Sequence, residues 1–213
     1  MKKIFASVIA TLSLAMGTTG TAVATGRTTT DATEVSAHGT ERASIVPSPN
    51  RGAGNDVLNA ISCTSASFCA AVGSFPAVMN YQPSGADRTL IEIWDGKKWV
   101  VMPSPNEGST LVANGLDAVS CASPRFCVAV GSTDGTLVQF WNGTKWSVVP
   151  SPSPNSQSIY GSGYQLHGVS CPSANFCTAV GENNGGTLVE FWNGKRWSVA
   201  PSPNKVGYEE IVC

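Results

Sequence analysis

An internal repeat restricts the fold of this chain more than any other feature of its sequence. Three complete copies each begin with a Cys-containing segment and end with a Trp-containing one, and they cover residues 58–106, 116–155 and 166–204. The period of about 50 residues is typical of β-propeller blades. Only one segment varies much in length, spanning residues 74–88 in the first copy, 132–135 in the second and 182–186 in the third. Variable length at one place in a repeat indicates a loop.

Turn residues divide each copy into four short apolar segments. These follow the patterns L-x-x-[VI]-S-C, F-C-x-A-V-G, T-L-[VI]-x-[FI]-W and W-[SV]-V-x-P-S-P, and we name them strands A to D. Val, Ile, Phe and Trp favour pleated strands, and Asp95-Gly96, Asn142-Gly143 and Asn193-Gly194 between C and D are strong hairpin signals. The sequence therefore predicts an all-β, β-propeller-like fold with three complete four-stranded blades. An open β-sandwich or a stack of hairpin repeats is the alternative.

Both ends of the repeat region resemble parts of further copies. The segment SIVPSPN (44–50) matches strand D and its tail, and YEEIVC (208–213) aligns with LHGVSC (166–171), so that Cys213 takes the place of Cys171. Three blades are fewer than the ~4 to 8 that close a propeller. We therefore expect partial blade strands at both ends, an unpaired Cys213, and an incomplete ring. Either a longer reading frame or self-association would complete that ring.

The other six cysteines form three pairs with the spacing C-x5-C, namely Cys63/Cys69, Cys121/Cys127 and Cys171/Cys177. Each pair flanks the turn between strands A and B, so its two members face each other across a hairpin, which suits a disulfide. Metal binding is the alternative, but the spacing differs from the C-x2-C of zinc ribbons, and the chain has only two His. The pattern favours three structural disulfides in an oxidising compartment, with no metal and no cofactor.

The N-terminal residues predict export. Residues 1–24 read as a signal peptide, with Lys2 and Lys3 before an apolar segment and Ala22-Val23-Ala24 before the cut. Residues 25–43 are Thr-rich without apolar periodicity and predict a disordered spacer, which leaves residues 44–213 as the repeat domain. We expect a secreted protein, extracellular or at the cell surface, without a membrane span after signal removal. The net charge of −1 and the lack of a basic cluster argue against a nucleic-acid partner.

All six tryptophans fall in the hairpins between strands C and D, and Asp95, Asn142 and Asn193 follow the first Trp of each pair. The tryptophans are Trp94, Trp99, Trp141, Trp146, Trp192 and Trp197. Two interpretations stay open. Buried rings would pack adjacent blades together, and exposed rings beside an acid or amide would bind sugars.

The sequence contains no recognisable catalytic motif, and we predict no catalytic residue. Glu92 and Glu190 share one strand C position, but Gln139 replaces them in the middle copy. A symmetric carboxylate site is therefore not built into the repeat, although an asymmetric glycosidase pair needs each acid only once.

The combination L-x-x-V-S-C-x5-C-x-A-V-G with W-N-G-x-x-W-S-V-x-P-S-P resembles secreted bacterial, actinobacterial-type repeat proteins over residues 44–213. This resemblance implies a propeller-like fold and brings no activity. Sialidase-type and kelch-type propellers are more distantly similar, but the sialidase box S-x-D-x-G-x-x-W is not met. A secreted, non-enzymatic binding module for an unknown glycan or protein ligand is the favoured interpretation. A fragment or accessory domain of a glycosidase and a purely structural surface protein are the alternatives.

Overall fold

The computed structural model describes residues 45–51, 55–77, 86–108, 112–152, 163–183 and 186–202. Twelve β-strands run through these residues: β1 (Val57–Ser65), β2 (Phe68–Phe75), β3 (Arg88–Trp94), β4 (Trp99–Val101), β5 (Gly115–Ser123), β6 (Phe126–Ser132), β7 (Thr136–Trp141), β8 (Trp146–Val148), β9 (Tyr164–Ser173), β10 (Phe176–Asn183), β11 (Gly186–Trp192) and β12 (Trp197–Val199). The predicted signal peptide (1–24), the spacer (25–43) and the start of a fourth repeat with Cys213 lie outside the described residues.

The strands form three four-stranded antiparallel sheets, β1–β4, β5–β8 and β9–β12, and each sheet pairs its strands in chain order. The predicted fold class is confirmed, because each repeat is one propeller-like blade with strands A to D side by side. The described sheets do not close into a ring. One face of the first sheet and one face of the third carry exposed large apolar side chains.

The hairpins between strands C and D turn at glycine in all three sheets. Gly96, Gly143 and Gly194 have φ angles of 91°, 94° and 88°, and glycine adopts this region without the steric cost that a Cβ brings. The Asp-Gly and Asn-Gly signals in the sequence therefore mark the turns that the structure contains.

Neighbouring sheets pack face to face, and each junction holds its own apolar core. We call the face of a sheet that points towards the preceding sheet its upstream face, and the opposite one its downstream face. In β6, Cys127 and Ala129 are upstream and join the core with the first sheet, whereas Val128 and Val130 are downstream and join the core with the third. Because side chains alternate along a strand, a strand between two sheets must be apolar at every position, as the F-C-x-A-V-G segment is.

The glycine that ends this F-C-x-A-V-G segment is required by a close backbone approach. A Cβ built on Gly131 would lie 2.1 Å from the carbonyl oxygen of Gly115, and one on Gly73 would lie 1.9 Å from that of Val57. The strand pairing shifts register beside both glycines. A side chain at either position would force the two strands apart.

Residues 45–50, the described part of the segment that the sequence predicts as a lone strand D, do not form a strand. In the complete sheets, the residue after strand D still pairs with strand C, as Met102 N donates to Ile91 O and Val149 N donates to Val138 O. Val46 occupies the corresponding place in its segment. No strand C precedes it among the described residues, so the pairing that would make the segment a strand is missing there.

Three disulfides join the cysteine pairs Cys63–Cys69, Cys121–Cys127 and Cys171–Cys177. In the first two sheets, the paired cysteines stand opposite each other in the strand A and strand B register. The Cα atoms of the three pairs are 3.9 to 4.1 Å apart. Disulfides of this kind indicate an oxidising environment. No described helix is long and apolar enough to cross a membrane.

Candidate functional site

The tryptophan pairs lie at the ends of strands C and D, where the paired rings contact each other. The centroids of Trp94 and Trp99 are 5.7 Å apart, and the second and third pairs have the same arrangement at 5.7 and 5.9 Å. The first indole of each pair also donates a hydrogen bond to the turn between strands A and B. The acceptors are the carbonyl oxygens of Ala66, Pro124 and Ala174. Each pair therefore joins the two hairpins of its own sheet.

Burial separates the first pair from the other two. Trp141, Trp146 and Trp197 are each 5% exposed and Trp192 is 8% exposed, because the preceding sheet covers the upstream face on which they lie. Trp94 and Trp99 are half-buried. Among the described tryptophans, these two have ring surface available to a ligand.

The polar residue after the first Trp of each pair stabilises the turn. Asp95 Oδ1 accepts hydrogen bonds from the backbone N–H groups of Lys97 and Lys98, and Asn142 and Asn193 make the same contacts in their own turns. The hydrogen bonds from the Lys98 and Lys97 backbone hold the pKa of Asp95 below its usual value. All three side chains are exposed, so a role in ligand binding stays a prediction for them.

A buried polar contact recurs at the junctions between sheets. Ser104, in the Pro-Ser-Pro segment after the first sheet, donates to Gln139 Oε1 of the second sheet at 3.2 Å. Ser151 likewise donates to Glu190 Oε2 of the third sheet at 2.6 Å. Ser48 donates to Glu92 Oε2 at 2.7 Å, so the segment before the first sheet makes the same contact as the tail of a complete sheet.

The amide and the acid at this junction position differ in one respect. Gln139 Nε2 donates to the Pro105 carbonyl at 3.0 Å, whereas Glu190 Oε1 is buried and has no hydrogen-bond partner among the residues that the structure describes. Burial raises the pKa of Glu190 to about 7, and the hydrogen bond from Ser151 opposes that rise. Burial also raises the pKa of Glu92, against the hydrogen bond from Ser48. Because both acids are 1% exposed or less, neither presents a carboxylate to solvent as a glycosidase acid must.

On the upstream face of the first sheet, side chains are exposed at repeat positions that are buried or partly buried in the other two sheets. Leu58 is 41% exposed, while its counterparts Leu116 and Leu166 are 0% exposed. Ile61 is 59% exposed, against 8% for its counterpart Val119. An apolar cavity of about 320 Å³ opens on this face, lined by Ser48, Leu58, Asn59, Ala60, Ile61, Ala71 and Trp99. Sequence reasoning missed this site because one repeat copy looks like another until its neighbours are known.

A cluster of three titratable side chains links the second and third sheets. His167 Nδ1 lies 3.5 Å from Asp117, and its Nε2 lies 3.8 Å from Glu182. The three side chains are at least one-third exposed. No group of three or more His, Cys, Asp or Glu suited to a metal ion occurs within the described part of the chain.

These features define a propeller-like repeat protein with an uncovered apolar face. No known protein family matches the sequence, and no curated protein matches it. A solved structure described as "YCF48 bound to D1 peptide" is similar to this chain, with 11% sequence identity and a TM-score of 0.45. The similarity covers 75% of this chain and 48% of the other, so the chain spans about half the length of that protein.

Proposed function

We propose that this protein is a secreted, non-enzymatic interaction module that binds a protein ligand through the upstream face of its first sheet. The observation that carries this proposal is the exposure of Leu58 and Ile61 at positions that are buried in the other two repeats. Apolar patches that stay exposed in this way are typical of protein–protein contact sites. The three disulfides support the extracellular setting.

The shape and chemistry of the face support a protein ligand. In the other two repeats, the same upstream positions pack against the apolar side chains of a neighbouring sheet. The first-sheet face therefore has the pattern of a surface that accepts another β-sheet. Its half-buried Trp94 and Trp99 add the aromatic area that interface centres favour.

A glycan ligand is the second candidate, and one observation favours it. Trp94 and Trp99 combine partly open rings with the exposed Asp95 at the turn. Aromatic rings next to an acid are a common way to hold a sugar. This candidate uses only the end of the face at the tryptophans and leaves Leu58 and Ile61 without a role.

The two candidates are separated by probing the full chain with a displayed random peptide library and a glycan array. We expect peptide ligands whose affinity falls at least about tenfold in Ile61→Asp. The affinity should be unchanged in the matched control Val100→Asp, because Val100 is 37% exposed and follows Trp99 on its strand, which places it on the opposite face of the first sheet. Glycan binding that is lost in Trp94→Ala and kept in Ile61→Asp would favour the second candidate. Peptide ligands that bind Ile61→Asp as tightly as the parent would contradict the proposed site.

A further inference from the structure

Resting on the proposed function, we propose that the ligand of the upstream face is the downstream face of the third sheet of a second copy, so that chains associate head to tail. That face carries the exposed side chains Phe176, Val180 and Phe191, which are 46%, 46% and 39% exposed. The equivalents of Val180 in the first two sheets, Val72 and Val130, are 0% exposed. An upstream and a downstream face pack together at two junctions within the chain. One face of each kind stays exposed, namely the upstream face of the first sheet and the downstream face of the third.

The aromatic contacts of the second junction define what the two uncovered faces offer each other. Phe140 packs edge-on against Trp192, with centroids 4.7 Å apart at 80°, and lies 6.3 Å from Trp197. Phe191 is the repeat equivalent of Phe140, and it contacts only Phe176 among the described rings, at 5.9 Å. Trp94 and Trp99 are the equivalents of Trp192 and Trp197. Head-to-tail docking places Phe191 of one copy against Trp94 and Trp99 of the next.

Backbone N–H groups also donate to serine hydroxyls across both junctions, each time from one sheet to the sheet before it. Cys121 N donates to Ser62 Oγ of the preceding sheet at 3.0 Å, and Cys171 N donates to Ser120 Oγ at 2.9 Å. The next serine of this series is Ser170, which is exposed on the third sheet. The first cysteine of the series, Cys63, is exposed on the first sheet. Docking in this register joins Cys63 N of one copy to Ser170 Oγ of another.

Residues 45–50 lie where the tail of a docked third sheet would lie. Their sequence IVPSPN is close to VAPSPN at 199–204, and Ser48 holds Glu92 as Ser151 holds Glu190. All six residues are exposed, so the segment is loosely packed. A docked second copy therefore displaces this segment, and Ser202 of that copy replaces Ser48 as the hydrogen-bond donor to Glu92.

The two faces differ from each other, so the contact is heterologous. A heterologous contact closes into a ring if its rotation permits and extends into a filament otherwise. This direction also makes the proposal testable by mixing, because a chain blocked on one face still offers the other.

The test uses the full chain with Cys213→Ser, so that no intermolecular disulfide forms, and measures mass by sedimentation velocity over a range of concentrations. Phe191→Asp blocks the downstream face and Ile61→Asp blocks the upstream face. Each variant alone should associate at least about 100-fold more weakly than the parent. A 1:1 mixture should form a dimer that grows no further, because only one open pair of faces remains. Leu58→Lys and Phe176→Lys serve as second variants if either Asp variant has lost its disulfides or its cooperative thermal unfolding.

Two deletions test the occupant of each face. Removing residues 45–50 should strengthen association about tenfold or more, while removing residues 32–37, an equal length outside the repeat domain, should not. A mixture that stays monomeric, or a blocked variant that still associates like the parent, would overturn the proposal. Association that arises only after removal of residues 205–213 would also overturn it, because the chain's own segment would then be the occupant. If peptide binding at Ile61 persists while self-association fails, the proposed function stands and the second copy is wrong.

Discussion

The hydroxyl of Ser151 donates a 2.6 Å hydrogen bond to Glu190 Oε2 across the junction between the second and third sheets. Glu190 is completely buried, and its Oε1 atom has no hydrogen-bond partner among the described residues. At the equivalent position, Gln139 uses its amide as a donor to the Pro105 carbonyl. A protonated Glu190 would carry the same kind of donor, and burial raises the pKa of Glu190 to about 7. The junction therefore favours the neutral acid.

Glu190→Gln should remove a pH dependence of stability. The pKa of Glu190 in the folded protein is about 7, above its ordinary value of 4.5, so the folded state holds the proton more tightly than the unfolded state. The free energy of unfolding of the parent should therefore fall as the pH rises from about 4.5 to about 7. The variant should be more stable than the parent by on the order of 2 kcal/mol at pH 8, and little changed at pH 4.

Urea denaturation at several pH values between 4 and 8 measures this difference. Glu107→Gln is the matched control, because Glu107 is exposed and the stability of this variant should follow the pH profile of the parent. An unchanged pH slope in Glu190→Gln would contradict the raised pKa of Glu190 in the folded protein.

Phe140→Ala and Phe191→Ala should differ in stability although they occupy the same repeat position. Phe140 packs on Trp192 and Trp197, so its removal should cost about 3 kcal/mol. Phe191 is 39% exposed, so its removal should cost less than about 1 kcal/mol at concentrations where the chain is monomeric. Equal losses in chemical denaturation would mean that Phe191 is covered in the single chain.

Gly131→Ala should be strongly destabilising. Its Cβ would lie 2.1 Å from the Gly115 carbonyl oxygen, so strands A and B of the second sheet must separate. We expect a loss of about 2–4 kcal/mol, measured by thermal or urea unfolding. Gly115→Ala is the control, since a Cβ there meets nothing within 4 Å. Equal effects would contradict the close approach in this structure.

Acrylamide quenching should distinguish the tryptophan pairs. Trp94 and Trp99 are half-buried, whereas Trp141 and Trp146 are each 5% exposed. The double variant Trp94→Phe/Trp99→Phe should lose most of the quenchable emission, and Trp141→Phe/Trp146→Phe should keep it. The reverse result would mean that the exposed aromatic surface lies on the second sheet and not on the first.

Local patterns in the sequence predict most of the fold. The turn dipeptides, the alternation of apolar residues and the C-x5-C spacing act over a few residues, and the four-stranded sheets and the cysteine pairs follow from them. The junction between sheets depends on contacts between distant residues. Ser151 and Glu190 are 39 positions apart, and neither lies in a pattern that names the other. The sequence signal for this contact is that a Ser in the tail and an acid or amide in the next strand C recur together, at Ser104 and Gln139 as well as at Ser151 and Glu190.

The outer faces could not be read from the repeat for the same reason. Leu58 and Leu116 occupy identical repeat positions, and only the presence of a neighbouring sheet makes one exposed and the other buried. A sequence pattern reports which side chains are apolar. Which of them are covered is a property of the assembled sheets.

Residue-resolved hydrogen–deuterium exchange at low and high protein concentration tests the central claim, that chains associate head to tail through the upstream face of the first sheet. We predict that the Cys63 amide and the rest of β1 become protected at high concentration, together with β10 and β11. The amide of Cys121 already donates to Ser62 within the chain, so its exchange should not change. Protection confined to other regions, or no change at any concentration that the chain tolerates, would contradict head-to-tail association through this face.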